Sequence, residues 1–279
     1  MIDLEGHFDI QVGTECNLNC KHCLMKNNLN HKKINYEKIL DQLSNYAFID
    51  EIHLSGGEPL IKNLPDLKRF IDCFPDSKFS MTTNLIYILT SQRIEIINSM
   101  DRVCTSFDPG NIRFENISQL NRWYHNLKKI KHFKPDIVVF VCLTDYLISN
   151  VSPEKLIHFF EKLKVNFITI PLMNNGNIEK NSYLLPDREE LVKWVKKSLS
   201  FKSEYNKTNN LIKNRNFSNC QYGLTMECIN YNGDFVNCIS DPDCQNKLDN
   251  KCIICNKLFK CGGSCPHIDC YYIGDDFIE

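Results

Sequence analysis

The chain has no apolar run approaching the ~18 residues that a membrane-spanning helix requires. Its N-terminus, M-I-D-L-E-G-H-F-D-I, carries acidic residues and no apolar h-region, so it does not read as a secretory signal. Neither sign of charge is in excess: 33 Lys+Arg stand against 34 Asp+Glu, a net charge of -1. That balance leaves no broad electrostatic footprint for nucleic acid or an anionic membrane. The hydrophobic fraction of 43% and charged fraction of 24% are those of a soluble globular protein. The expectation is a cytoplasmic chain with no nucleic-acid and no membrane partner. Its 279 residues give room for one large domain and a smaller one, at about 150 residues per domain.

Cysteine is the residue in surplus, with 15 in the chain, an odd number. Disulfide scaffolds are usually short and secreted. This chain is long, reads as lacking a signal, and gathers its cysteines toward its two ends. Thiolates kept reduced as metal or cluster ligands fit that distribution better. Cys73, Cys104 and Cys142 lie apart in apolar settings and read as buried core residues, with a site role left open for Cys104 and Cys142 near strand ends.

From Asp9 to about Ser200, β-rich runs alternate with amphipathic ones. The expected strands are 8–13, 51–55, 78–82, 102–107, 136–143 and 165–171. The expected helices are 36–45, 64–74, 91–99, 116–131, 153–163 and 187–199. Six strand–helix repeats imply a parallel sheet with right-handed crossovers, closing into an open or partial barrel. Sites in such folds lie at the carboxyl ends of the strands. Residues 202–219 turn rich in Asn, Lys and Ser and read as a linker. Beyond them, Cys220–Cys270 holds nine cysteines in 51 residues. Within that stretch, 225–237 alternates like a strand, with a hairpin turn signal at Asn232–Gly233. The remainder has little regular pattern and needs metal staples to hold a shape.

The first strand runs into T-E-C-N-L-N-C-K-H-C, with thiols at Cys16, Cys20 and Cys23. A [4Fe–4S] cubane fully ligated by protein takes four thiolates; three leave one iron open for catalysis. The spacing alone also suits zinc, with His22 or Cys73 as a fourth ligand. The residues around it resemble the radical SAM (S-adenosylmethionine) superfamily, whose signature is this C-x3-C-x2-C loop after the first strand. S-G-G-E-P at Ser55–Pro59 is similar to the motif that binds the SAM amino group. There Gly56 and Gly57 permit close backbone approach, and Glu58 offers a carboxylate to an ammonium. M-T-T-N at Met81–Asn84 resembles the family's T-N-G, with Leu85 in place of glycine. T-S-F-D at Thr105–Asp108 resembles the S-x-D end of strand four, which implies that Ser106 faces SAM. Arg113 is read either as pairing with the SAM carboxylate or as a surface charge, and the resemblance implies that Met173, in L-M-N-N-G, lines the adenosine. Leu24 is then an apolar cover for cluster or adenine. The fold implied is α/β: a partial (β/α)6 TIM-like barrel over 1–201, a linker over 202–219, and a small irregular cluster-binding domain with a β-hairpin over 220–279. The activity implied is reductive cleavage of SAM to a 5′-deoxyadenosyl radical that abstracts a substrate hydrogen.

The C-terminal cysteines resemble a SPASM domain, the auxiliary-cluster module of one radical SAM branch; a zinc ribbon is the alternative. The resemblance implies that Cys252, Cys255, Cys261 and Cys270 hold an outer cluster, and Cys220, Cys238 and Cys265 an inner one. Cys228 or Cys244 then completes the inner set, or its iron stays open. Three [4Fe–4S] clusters are expected in all. SPASM enzymes mostly modify peptides or proteins, by crosslinking or oxidation, so a peptide is the leading substrate expectation. The first expected strand starts at Phe8, so no leader-binding domain is expected before it; recognition falls to the barrel or to a separate peptide-recognition protein. An electron donor such as flavodoxin or ferredoxin is the other partner. Sulfatase-maturing relatives carry an Asp directly after the cysteine matching Cys238, where this chain has Ile239. The rival readings are a dehydrogenase or rearrangement enzyme acting on a small molecule such as a sugar alcohol, and a non-catalytic iron–sulfur or zinc protein. Asp108, Asp241 and Tyr271 are the general acid or base candidates.

Overall fold

Runs such as I-V-V-F-V-C-L are apolar at every position because both faces of a parallel strand are covered, and this one forms an almost wholly buried strand of the sheet. The computed structural model describes residues 5–25, 34–61, 63–133, 136–172, 176–208 and 227–236. The strands are β1 (Glu5–Gln11), β2 (Phe48–Ser55), β3 (Lys78–Thr82), β4 (Arg102–Ser106), β5 (Ile137–Leu143), β6 (Asn166–Pro171), β7 (Glu227–Ile229) and β8 (Phe235–Val236). The helices are α1 (Tyr36–Leu43), α2 (Leu64–Asp72), α3 (Ser91–Asn98), α4 (Ile117–Lys131), α5 (Asp145–Asn150), α6 (Pro153–Leu163) and α7 (Arg188–Ser200). The strands form one sheet in the order β6-β5-β4-β3-β2-β1-β7-β8. All neighbours are parallel except β7 and β8. The sheet does not close on itself, so the expected partial barrel is what the chain forms.

Local chemistry starts the helices where the sequence indicates. The side chains of Asn35, Thr90, Asn116, Ser152 and Asp187 each accept a backbone N–H of the first turn, satisfying donors with no partner inside the helix. Parallel register puts alternate residues on opposite faces. Ile10, Leu54, Met81 and Val103 form a row on the outer face and are 0% exposed. On that side Trp123 of α4 donates to Thr105, and Phe160 of α6 stacks on Phe167 at 4.6 Å.

Three differences from the sequence reading have physical causes. The hairpin β7–β8, turned at Gly233 with φ 80, is not an isolated unit: β7 pairs with β1 and extends the barrel sheet. Residues 203–208, inside the stretch read as linker, run along β6, where Tyr205, Lys207 and Thr208 hydrogen-bond to Phe167 and Thr169. Both satisfy sheet edges, a long-range requirement that local composition does not reveal. Cys73, read as core, is exposed, because it caps the solvent end of α2. Among the described residues no helix is long and apolar enough to cross a membrane.

Candidate active site

The loop after β1 carries Cys16, Cys20 and Cys23, and neighbouring loops strap it from three sides. From the β3 side, Asn84 donates to Asn17 Oδ1 at 2.7 Å and reaches Cys16 Sγ at 3.8 Å. From the β4 side, the Ile112 carbonyl accepts Lys21 N–H at 3.0 Å. From beyond β6, Asn177 donates to the Cys20 carbonyl at 2.8 Å, and Asn181 to that of Lys21 at 3.0 Å. None of the three thiols is in a disulfide. They lie close enough that charge on Cys20 or Cys23 raises the pKa of Cys16, which burial above all pushes up to about 12. A metal that displaces the thiol protons relieves that arrangement.

The glycine pair after β2 serves this loop. Gly57 N–H donates to the Gly13 carbonyl at 3.0 Å and Glu58 N–H to that of Glu15 at 2.7 Å. A Cβ on Gly57 would sit 2.1 Å from Glu15 O, and one on Gly56, at φ +131, 2.4 Å from Gly13 O. Close backbone approach is therefore required, and the first partner it meets is the cysteine loop. Glu58 turns inward: its carboxylate accepts from Thr83 Oγ1 at 2.6 Å, Asn84 N at 2.6 Å and Leu60 N at 3.2 Å. Burial outweighs those donors and pushes its carboxyl up to about 7. A carboxyl raised in the fold stabilises it fully below the ordinary 4.5 and loses that contribution as pH rises through about 7. Glu58→Gln, which turns an amide N–H toward Asn84 N–H, should cost about 1–3 kcal/mol. Its Tm deficit against wild type should shrink as pH rises across that window; a deficit flat with pH would contradict the assignment. Leu85, where the resembled motif has glycine, is 0% exposed and keeps the left-handed backbone, φ 58. Asn126 clamps that turn by donating to the Leu85 and Tyr87 carbonyls.

Beside Cys20 lies a buried polar group that the sequence did not reveal as a unit. Asp108 accepts from Arg113 Nε at 2.6 Å and from Cys142 N–H at 2.8 Å. His22 Nε2 stands 3.2 Å from both Asp108 and Arg113. Despite burial, Arg113 and His22 hold the Asp108 carboxyl well below the usual carboxylate range. His22 Nδ1 has no partner among the described residues. A buried polar atom without a partner costs about 1–3 kcal/mol, so the site is polar enough to want a further group. The soft thiol trio, the glycine cradle and that unpartnered nitrogen all fit an iron–sulfur group with a polar ligand. Burial pushes the thiols of Cys104, to about 12, and of Cys142 upward, which suits core residues.

The inner face of the sheet leads up to this mouth. On β1–β3 it is polar: Ser55 donates to Asp9 at 2.6 Å, His53 lies 2.8 Å from Ser80 and 3.0 Å from Thr82, and Ser80 donates to Glu51 at 3.0 Å. Toward β5 and β6 it becomes apolar, with Phe140, Ile168 and Ile170. Ser106 ends β4 between these halves, partly exposed. Cys228 stands in β7 beside Asp9, buried at 1% exposure. Leu24 follows Cys23, partly buried. Met173, Asp241, Tyr271, Cys220, Cys238, Cys244, Cys252, Cys255, Cys261, Cys265 and Cys270 lie outside the described residues.

The family described as a 4Fe-4S single cluster domain matches residues 7–107, which include all three cysteines of the loop. In structure, anSMEcpe with bound AdoMet and Cp18Cys peptide is similar with a TM-score of 0.68, at 15% identity, over 94% of this chain and 89% of that one. SuiB of Streptococcus suis bound to precursor peptide SuiA is similar with a TM-score of 0.60, at 15% identity, over 98% and 66%. The fold is the one these structures share, an open α/β barrel. A probable GTP 3′,8-cyclase of Methanococcus aeolicus is 31% identical over 107 residues. That match spans 36% of this chain and 36% of the cyclase, about a third of the curated relative's length. Within this fold, the residues sequence reasoning missed are Asn17, His22 as part of the Asp108 group, and Asn177. The one local signal was the density of Asn around the cysteines.

Proposed function

We propose that this chain is a radical SAM enzyme that cleaves SAM reductively and abstracts hydrogen from a peptide or protein side chain, forming a crosslink or an oxidised residue. The observation that carries the reading is the trio of unbridged thiols gathered at the mouth of an open barrel, against the glycine pair. In it, Cys16, Cys20 and Cys23 hold a [4Fe–4S] cluster with one open iron. When bound, the cluster supplies SAM with the electron that releases a 5′-deoxyadenosyl radical. The protein's part is orientation and exclusion of water. Gly56, Gly57, Asn84, Ser106, Leu24 and Met173 are the proposed lining of the SAM site, with Glu58 fixing the loops around it from within. Asp108, committed to Arg113 and to the Cys142 amide, is poorly placed to take a proton. Two auxiliary clusters on the C-terminal cysteines and a flavodoxin- or ferredoxin-type electron donor complete the proposal.

The peptide complexes of anSMEcpe and SuiB support a peptide substrate. The hydroxyl-rich inner face around His53, Ser80 and Thr82 supports a second reading, a small polyhydroxy molecule. Anaerobic reconstitution followed by SAM and dithionite tests the common core. 5′-Deoxyadenosine should appear, with about twelve iron and twelve sulfide per chain if three cubanes form. Correct iron loading without 5′-deoxyadenosine would leave a binding or electron-transfer protein instead.

A further inference from the structure

We propose that Arg113 is a fixed cation on the Cys20 sulfur, positioned by Asp108 and His22, that raises the reduction potential of the cluster on the three-cysteine loop. The inference rests on the reading that this loop holds a cluster, and gives Arg113 a task other than pairing with the SAM carboxylate.

The guanidinium is a planar fork with five N–H donors and no acceptor. Here all three of its nitrogens are engaged by different groups: Nε with Asp108 at 2.6 Å, one terminal nitrogen 3.8 Å from Cys20 Sγ, and the other 3.2 Å from His22 Nε2. The Asp108 side chain is fully buried and that of Arg113 is 14% exposed. The carboxylate cannot swing away, because its second oxygen accepts the Cys142 backbone N–H. A guanidinium buried without a counter-charge would be strongly unfavourable, and Asp108 supplies that charge at Nε, while a different nitrogen is the one nearest the sulfur. The pair is neutral as a whole but directs its positive end at one cluster ligand.

Cluster potentials follow net charge, hydrogen bonds to the sulfurs and solvent exposure. Reduction adds an electron to the cluster, so an N–H donor and a positive charge at a ligand sulfur favour the reduced form. The same place in the fold has a rival use. His22, Asp108 and Cys142 offer donor atoms within 4.8 Å of one another, a set that could hold a cation. Arg113 already supplies the positive charge on Asp108, and a metal ion there would face the guanidinium directly. The group is an internal ion pair turned toward Cys20.

Arg113 is a positioning residue, so its test reads a potential rather than turnover. The full reconstituted chain is titrated with EPR detection, following the reduced-cluster signal that changes when SAM is added; that response separates this cluster from any auxiliary one. Arg113→Gln should move the midpoint negative by more than the spread between replicate titrations, and Arg113→Lys should return it toward wild type. A midpoint unchanged in Arg113→Gln, or equally negative in Arg113→Lys, overturns the proposal. Should Arg113→Gln fail to load iron, wild-type protein grown with guanidinium-15N arginine decides. Pulsed EPR should then show a 15N coupling to the reduced cluster, and its absence overturns the assignment. A wild-type protein with no SAM-responsive signal sinks the cluster reading itself, a result distinct from either of these.

Discussion

Cys16→Ala, Cys20→Ala and Cys23→Ala combined should abolish 5′-deoxyadenosine formation while leaving iron elsewhere on the chain. Alanine offers no ligand atom, and the straps that hold the loop bring no replacement thiol to it. Asn84, Asn177 and Asn181 bind the loop through side-chain amides, mostly to backbone carbonyls. Those bonds survive the substitutions, so the loop should stay in place without its donors. The C-terminal cysteines are untouched, and on the proposed three cubanes iron should fall from about twelve to about eight per chain. Assay of 5′-deoxyadenosine together with iron checks both halves. Turnover retained by the triple variant would remove the basis of the proposed chemistry.

Gly57→Ala should be the most damaging single methyl addition near the site. Its Cβ would lie 2.1 Å from Glu15 O, 2.6 Å from Glu15 C and 2.9 Å from Thr14 C. All three are backbone atoms, so no side chain can rotate aside to make room. The strand of loop leading into Cys16 must move, or the β2 loop must, and both Gly57 N–H and Glu58 N–H lose their partners. Overpacking of this kind costs about 1–3 kcal/mol, or roughly 2–10 °C in Tm for a domain of a few hundred residues. The effect on cluster loading should be larger, because displacement of Glu15 carries Cys16 with it. Thermal unfolding and iron content measure the two effects; a variant with wild-type Tm and full iron would show that the loops are not in the contact described.

The repeating part of the fold was legible because it is written locally. The expected strand 78–82 and helix 153–163 match β3 and α6 end to end; Pro153 after Ser152 suits a helix start and a polar cap opens it. α5 was not legible, since six residues are too few for a periodic signal. The docking of β7 on β1 and of 203–208 on β6 depends on partners far along the chain. The same limit governed the site. The cysteine spacing and the glycine pair were visible in sequence, but Arg113 stands 93 positions from Cys20, and only the barrel brings them together. The sequence reads Glu58 as facing a ligand, and the fold adds three hydrogen-bond donors from the protein itself. Leu85 shows the converse: a buried leucine fills the space, and the fold holds the turn in a conformation that glycine would take at lower cost.

The asparagine straps on the loop after β1 have a consequence for how the protein matures. Asn84 follows β3, Asn177 and Asn181 follow β6, and the Ile112 carbonyl beside them follows β4, so these contacts come together when the barrel folds. The conformational freedom of the loop is thus surrendered together with the folding of the barrel. On the proposed reading, a cluster held there shares the cost of ordering the loop with those contacts, so less of its binding energy goes into arranging the polypeptide around it.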